Sequence, residues 1–443
     1  MPHATQAPPL SVGIDFGTSN TVVAVAGPNG HARAVTFDHR GERLRVYATA
    51  LCFWDERKGA SAVTRFEGGP FAIEQFLEGA DPHRFLQSFK TFAGSASFQE
   101  TRIFRERFRF EDLLAAFLRT LLRHADDLDL REAPRVVVGR PVRFAGRNPD
   151  DALAISRYRA AFERLGAGHA RYVYEPVGAA FFYAAGLERD ATVLVADFGG
   201  GTSDFSVMHF SRKGGQLAAE PLGHAGVGVA GDAFDARMVD RVVAPRLGKG
   251  GHYRGMGGKL LSIPNHYYGN LSRWNDLALM KSSGDLKDLR AFARTAMEPE
   301  PLEAFAELVE EDQGFALYRA VSKAKVALST DEETSFQFRA GGLPIEARIT
   351  RPEFEAWIAP DVVRITAGLD EALGRSGVPR EAIDRVFLTG GTSFVPAIRR
   401  SFIARFGEER LTSANQFEAI AYGLALIGQS PEPELFARPD APA

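Results

Sequence analysis

The spacing of apolar positions outlines two similar pieces of chain. Residues 11–27, SVGIDFGTSNTVVAVAG, place two β-rich runs on either side of a short glycine turn, which is the grammar of a hairpin. Residues 191–210, ATVLVADFGGGTSDFSVMHF, repeat that grammar. In both copies an aspartate, Asp15 or Asp197, closes the first run. The offset of 182 positions is too long for a solenoid repeat and suits two related domains. Between and beyond the copies the period changes. Residues 111–128 carry apolar side chains at helical spacing, 135–144 read as a buried strand entering a loop, and 175–187 read as a helix starting near Pro176. Later, DRVFLTGGTSFVPAIRRSFIARFG predicts strand, Gly-Gly turn and helix. Strands and helices on both sides of a long repeat predict a two-lobed α/β protein. Residues 248–310, glycine-rich and aromatic and then charged, read as a peripheral insertion in the second lobe.

Composition narrows the functional classes. The 443 residues are 45% hydrophobic and 25% charged, enough to bury a large core in two or more domains. A net charge of −3 supplies no basic field for nucleic acid or an anionic membrane. One cysteine, Cys52, leaves no internal disulfide framework. The start, MPHATQAPPL, lacks the regions of a secretory signal, and no run approaches roughly 18 apolar residues. The expectation is a cytoplasmic protein with no nucleic-acid or membrane partner.

The glycine turns point to phosphate. Glycines let backbone N–H groups converge on one concavity that suits phosphate oxygens. An aspartate beside such a turn repels a bare phosphate but can hold Mg²⁺ or its water shell. Asp15 and Asp197, one per lobe, would therefore clamp a metal–triphosphate. A single DFG or GG turn is in general only a tight hairpin; two copies in matching context carry the inference. The protein-kinase set is missing, because no HRD loop or VAIK strand accompanies the DFG. The P-loop fails as well, with Leu260 where Ser or Thr is needed and Tyr253 where the first glycine belongs. No HExxH spacing supports zinc. Lysine makes up only 9 of the 53 Lys and Arg residues, and Lys90, in FLQSFKTFAG, is alone between Ala60 and Arg212. Such a lysine marks a need for a compact ammonium, or else is a solvated surface residue.

Seven motifs occur in a familiar order: GIDFGTSNTVVAV, SFKTFAG, YEPVGAAFFYAAG, DFGGGTSDFSV, GDAFDARMV, FLTGGTSFVPAIRRSF and NQFEAIAYGLAL. Together they resemble the nucleotide-binding domain of DnaK-type chaperones, the seventy-kilodalton heat-shock family, and most of all its short YegD-type branch. The likeness runs from about residue 11 to 428. It implies the actin-like ATPase fold, with ribonuclease H-like duplicated lobes around a nucleotide cleft. Lobe I would take residues 11–190 and lobe II 191–428, with the 248–310 insertion and a final helix at 415–428 packing back at the lobe interface. Residues 1–10 and 429–443 would be disordered tails and the peptide-binding half would be missing; the residues PELFARP themselves suggest that Leu435 and Phe436 dock on a partner or on the body of the protein.

The resemblance also implies roles. Asp15, Glu175 and Asp197 would hold the Mg²⁺ waters, with Asp204 and Thr202 near K⁺ and γ-phosphate positions. Gly17, Thr18, Ser19, Asn20 and Gly199, Gly200, Gly201 would line the phosphates of ATP or ADP. Lys90 matches the family's catalytic lysine, which orients the attacking water, and phosphoryl transfer needs such positioning and charge more than covalent help. Gly231, Lys325, Ser329, Gly390 and Gly391 would line the adenosine, and Pro141 matches a switching proline. Ser322 and Val326 replace the expected Glu and Arg of the adenosine helix, and Phe417 replaces an acidic residue. Losing a stacked guanidinium would weaken adenine binding by about 0.5–2 kcal/mol.

The implied function is an ATP-binding, slowly hydrolysing switch whose lobe angle is read by a protein partner. The alternatives are a binding module without turnover, a small-molecule kinase and a filament protein on the same fold.

Overall fold

The computed structural model describes residues 11–27, 31–58, 61–79, 82–126, 128–146, 148–184, 186–187, 189–213, 216–413, 418–430 and 433–437. Residues 1–10 and Phe417, both singled out above, lie outside this set. The chain divides into two compact units. The first comprises the chain up to Ala230 with Arg364–Ser393 and the residues from Ile398 onward; the second comprises Gly231–Val363 with Phe394–Ala397.

The first unit holds two sheets of matching topology. One is built from β1 (Ser11–Phe16), β2 (Asn20–Ala26), β3 (Ala32–Ala34), β4 (Tyr47–Ala48), β5 (Val136–Arg140) and β6 (Arg171–Tyr174). Its order is β6-β5-β1-β2-β3, with β4 added to β2. The other is built from β7 (Ala191–Phe198), β8 (Ser203–Lys213), β9 (Gln216–Val227), β10 (Arg385–Thr389) and β11 (Leu411–Ser413), in the order β11-β10-β7-β8-β9. In each sheet the central strand, β1 or β7, pairs antiparallel with its hairpin partner on one side. On the other side it pairs parallel with a later strand, β5 or β10. Such central strands read as unbroken apolar runs because both faces are covered, and all six residues of β1 are buried.

Helices cover these sheets. Helix α1 (Phe110–His124) turns Leu113, Leu114, Phe117, Leu118 and Leu121 inward, and Asp112 caps its start by accepting the Arg109 N–H at 2.8 Å. It ends four residues before the predicted limit, because Ala125 turns extended and bridges Phe37. Helix α2 (Asp151–Glu163) begins at Asp150, whose carboxylate accepts the Leu153 N–H at 2.8 Å. Helix α3 (Glu175–Ala184) follows β6 without a break, and α4 (Ala419–Gln429) packs against it. The α3–α4 crossing is close enough that a Cβ on Gly423 would lie 1.7 Å from the Gly178 carbonyl oxygen. Only glycine permits that approach.

Among the described residues beyond 428, which are 429–430 and 433–437, helical structure stands where a loose tail was expected. Gln429 completes α4, and Glu434–Ala437 forms a helical turn that places Phe436 edge-on to Phe181, with centroids 4.7 Å apart. An aromatic ring that finds buried surface repays the ordering of a short turn.

In the second unit, residues 248–310 contribute a small hairpin, His252–Arg254 with Leu260–Ser262, and four helices ending with Pro299–Glu310. Tyr268 stacks on Phe305 at 5.6 Å, both fully buried, so this segment has an apolar interior of its own.

Candidate functional site

The site forms where the central strands of the two sheets end. Asp15 is the next-to-last residue of β1 and Asp197 the next-to-last of β7, so the duplicated topology places the two carboxylates at equivalent positions. Both are buried, as are Lys90, Glu175, Thr18, Thr202 and Asp204. Glu175 opens α3. It accepts a hydrogen bond at 2.7 Å from Lys90 Nζ, in an ion pair with 7% and 6% side-chain exposure. Lys90 is therefore no surface lysine. Its turn, Phe89–Phe92, is entered through Ser88 in left-handed conformation at φ 55°, a strain of about 1–2 kcal/mol that the surroundings must hold.

Arg157 of α2 anchors the far end of that turn and the loop that follows it. Its guanidinium donates to the carbonyls of Phe92 at 2.9 Å, Ala93 at 2.8 Å, Ser95 at 3.1 Å and Phe98 at 2.5 Å. Nothing in the residue pattern marks Arg157, one arginine among 44. The first glycine turn is braced by Thr49, which sequence reasoning also missed. Thr49 Oγ1 donates to the Gly17 carbonyl at 2.9 Å, and its N–H donates to the Ser19 carbonyl at 2.8 Å. The second turn closes through the Gly199 N–H on the Thr202 carbonyl at 2.9 Å. Gly390 lies against it at φ 81°, where a Cβ would meet the Phe198 carbonyl oxygen at 2.1 Å. From Gly391 the chain passes to Thr392, which donates to the Gly199 carbonyl at 3.4 Å. Asp204 accepts the Val142 N–H at 2.7 Å and thereby ties down the corner after Pro141. Its second oxygen is buried without a hydrogen-bond partner among the described residues.

The structure thus gathers Asp15, Gly17, Thr18, Ser19, Asn20, Lys90, Glu175, Asp197, the 199–202 turn, Asp204, Gly390 and Gly391 in the first unit. Gly231, Lys325 and Ser329 belong to the second. There Lys325 pairs with Asp235 at 2.8 Å and donates to the Gly231 carbonyl at 3.3 Å, while Val326 is 64% exposed.

Charge in the cluster is unbalanced. The groups acting on Asp197 are Glu175, Asp15, Asp204 and one cation, Lys90. Burial, then Glu175, pushes Asp15 up to about 8, against the pull of Lys90. Burial, then Glu175, Asp15 and Asp204, holds Asp197 well above the ordinary carboxylate range. Asp204 rises to about 7 through burial and Glu175, opposed by hydrogen bonds from Thr202 and Val142. For Lys90, burial works against the charge, but Glu175, Tyr158 and Asp15 outweigh it and keep the ammonium protonated. Buried carboxylates in excess over cations are stable only if protonated or met by a further cation.

An oxygen-only donor set with an unsatisfied carboxylate oxygen fits a hard divalent cation such as Mg²⁺. Among the described residues, no three His, Cys, Asp or Glu side chains are grouped as direct ligands. The fit is therefore through water, which Mg²⁺ retains in most protein sites.

A model of the family described as Hsp70 protein matches residues 82–248 and 310–436. The chain belongs to the Hsp70 family. The actin-like ATPase fold expected from the motifs is the fold of that family, and the mixed α/β architecture agrees with it. Among curated relatives, this Hsp70-family chain is 28% identical over 431 residues to the chaperone protein DnaK of Thermotoga petrophila, covering 94% of this chain and 58% of that one. It is 27% identical over 433 residues to DnaK of Thermus thermophilus, covering 94% and 60%. DnaK of Thermosipho melanesiensis is 27% identical over 430 residues, with 94% and 58% covered. The chain thus spans about three fifths of the length of these relatives.

Proposed function

We propose that this Hsp70-family chain binds Mg·ATP and Mg·ADP and hydrolyses ATP slowly, as a nucleotide switch read by a protein partner. The observation that carries this is the buried cluster at the ends of β1 and β7: four carboxylates, one lysine and two glycine turns in a duplicated frame. Asp15, Glu175, Asp197 and Asp204 would hold the Mg²⁺ waters, and the bound ion would supply charge neutralisation at the phosphates. The N–H groups of Gly17–Asn20 and Gly199–Thr202 receive phosphate oxygens. Lys90 orients the attacking water and offsets charge on the transferred phosphoryl group. The altered residues Ser322 and Val326 make adenine preference weaker than in an arginine-bearing site.

Among the described residues, no helix is long and apolar enough to cross a membrane. A cytoplasmic location is part of the same proposal.

The test is isothermal titration with Mg·ATP and Mg·ADP, followed by phosphate release from the same protein and from Asp197→Asn. Binding with slow release that the variant loses supports the switch. Binding with no release in the native chain would leave a module without turnover. The closed Lys90–Glu175 pair gives that second reading its footing, since Glu175 already offsets the lysine charge that would otherwise act on phosphate. Binding to neither nucleotide would remove both.

A further inference from the structure

Tyr158, on α2, is fully buried, yet its hydroxyl has no hydrogen-bond partner among the described residues. Its ring is held on four sides, by Phe16, Phe110, Phe144 and Tyr172, at centroid distances of 5.7–6.1 Å. A phenylalanine would pack there equally well, without the cost of an unmatched buried hydroxyl, about 1–3 kcal/mol. The surroundings of that hydroxyl are specific. Phe16, against which the ring packs, also lies 5.8 Å from Lys90 Nζ. Lys90, Glu175 and Asp15 are the charged groups of the cluster that act on the phenol. The residue before it, Arg157, holds the end of the turn that carries Lys90 at the Phe92 carbonyl and the loop after it at the carbonyls of Ala93, Ser95 and Phe98. Helix α2 therefore ties down the segment that leaves the Lys90 turn with one residue, and with the next it buries an idle oxygen on a ring that shares Phe16 with the ammonium.

We propose that Tyr158 is a positioning residue for Lys90: its phenol oxygen is the acceptor to which the ammonium turns when Glu175 is drawn away from the ion pair. Lys90 carries three N–H donors, and Glu175 takes one at 2.7 Å. Glu175 is also one of the carboxylates that a hard cation attracts. Each time it is so engaged, the ammonium needs a neutral acceptor that does not compete for the cation, and a protonated phenol meets that need. The inference rests on the phosphate-site reading above, but its test can be read without nucleotide.

The experiment is a double-mutant cycle on the full chain. Tyr158→Phe is made in the native background and in Glu175→Ala, with Glu175→Gln as a second background that keeps the side-chain volume. Thermal midpoints are measured without nucleotide. In the native background Tyr158→Phe should leave the midpoint unchanged or raise it, because an unmatched hydroxyl is removed. In Glu175→Ala it should lower the midpoint by about 2 °C or more, because Lys90 then depends on the phenol. Turnover of Mg·ATP by the single variant should fall about tenfold with KM within about threefold, the pattern of a misplaced group rather than lost binding. No effect in either background, or an equal loss in both, overturns the proposal. A native chain without turnover would overturn the function proposed above while leaving the cycle decisive for Tyr158.

Discussion

The two aspartate hairpins share a frame and differ in how their charge is met. Asp15 and Asp197 occupy the same position on the central strand of matching sheets. Lys90 opposes the rise of Asp15, which stops at about 8. Asp197 feels three carboxylates before it feels Lys90 and is held well above the ordinary carboxylate range. The turns differ too. The first is short and braced by Thr49; the second is closed by one internal hydrogen bond and leaned on by Gly390 and Thr392. A duplicated scaffold therefore does not give duplicated electrostatics. The one ammonium sits on the first copy's side of the balance, and the second copy depends most on a cation from outside.

The largest expected effect comes from removing that ammonium. Lys90→Ala leaves Glu175 buried without its partner, and breaking a buried pair from one side costs about 3–5 kcal/mol. Denaturant midpoints should fall accordingly. Phosphate release should drop at least about a hundredfold while nucleotide affinity, read by titration, changes less than tenfold. A variant with native midpoint and turnover would show that Lys90 serves neither hairpin.

Next in size is the response to pH. Asp15, Asp197 and Asp204 all have raised values in the folded chain, so between about pH 4 and about pH 8 the native state binds more protons than the unfolded state. The contribution of these three carboxylates to the stability of the nucleotide-free protein is then fully present below about pH 4 and declines as pH rises through this window. Denaturation without divalent cation at pH 6 and pH 8 should give the lower midpoint at pH 8. Added Mg·ADP should raise the midpoint more at pH 8 than at pH 6. A midpoint that rises with pH would contradict the charge excess.

The hairpins should separate when each aspartate is neutralised alone. Asp197→Asn removes the less compensated charge and should stabilise the nucleotide-free protein at pH 8 by about 1–2 kcal/mol. Asp15→Asn also weakens the surroundings of Lys90 and should gain less. Equal gains would mean that Lys90 does not distinguish the copies. Both variants should lose Mg·nucleotide binding.

The repeat, the mixed α/β class and the carboxylates and glycine turns that the structure brings into one unit were legible in the sequence because hairpin grammar, glycine turns and carboxylates are local signals. Helix α3 was legible for the same reason, since Pro176 in a first turn and the apolar run behind it mark its start. What was not legible is what holds the cluster together. Arg157 reaches carbonyls 59 to 65 residues away and Tyr158 packs on Phe16 from still farther along the chain, contacts that leave no pattern on their own helix. Thr49 likewise stands 32 residues from Gly17 of the turn that it braces. The order at Glu434–Ala437 was hidden in the same way: proline-rich composition argues for a loose tail, and only the presence of Phe181 gives Phe436 somewhere to go.

The smallest effect sharpens the comparison at the turns themselves. A Cβ on Gly17 would lie 2.2 Å from the Asn20 carbonyl oxygen, inside a turn already pinned by Thr49, so the backbone must shift. A Cβ on Gly199 would meet nothing closer than the Thr202 carbonyl oxygen at 3.5 Å, an ordinary contact. Gly17→Ala should therefore cost about 1–3 kcal/mol of stability, whereas Gly199→Ala should stay within about 0.5 kcal/mol. Denaturant midpoints of the two nucleotide-free variants read this difference directly. If Gly199→Ala nevertheless weakens Mg·ATP binding, its glycine serves the approach of phosphate and not the fold, and the second turn is the more ligand-dependent of the pair. Equal stability losses would instead make both turns scaffolding of the same kind, and the asymmetry between the hairpins would rest on charge alone.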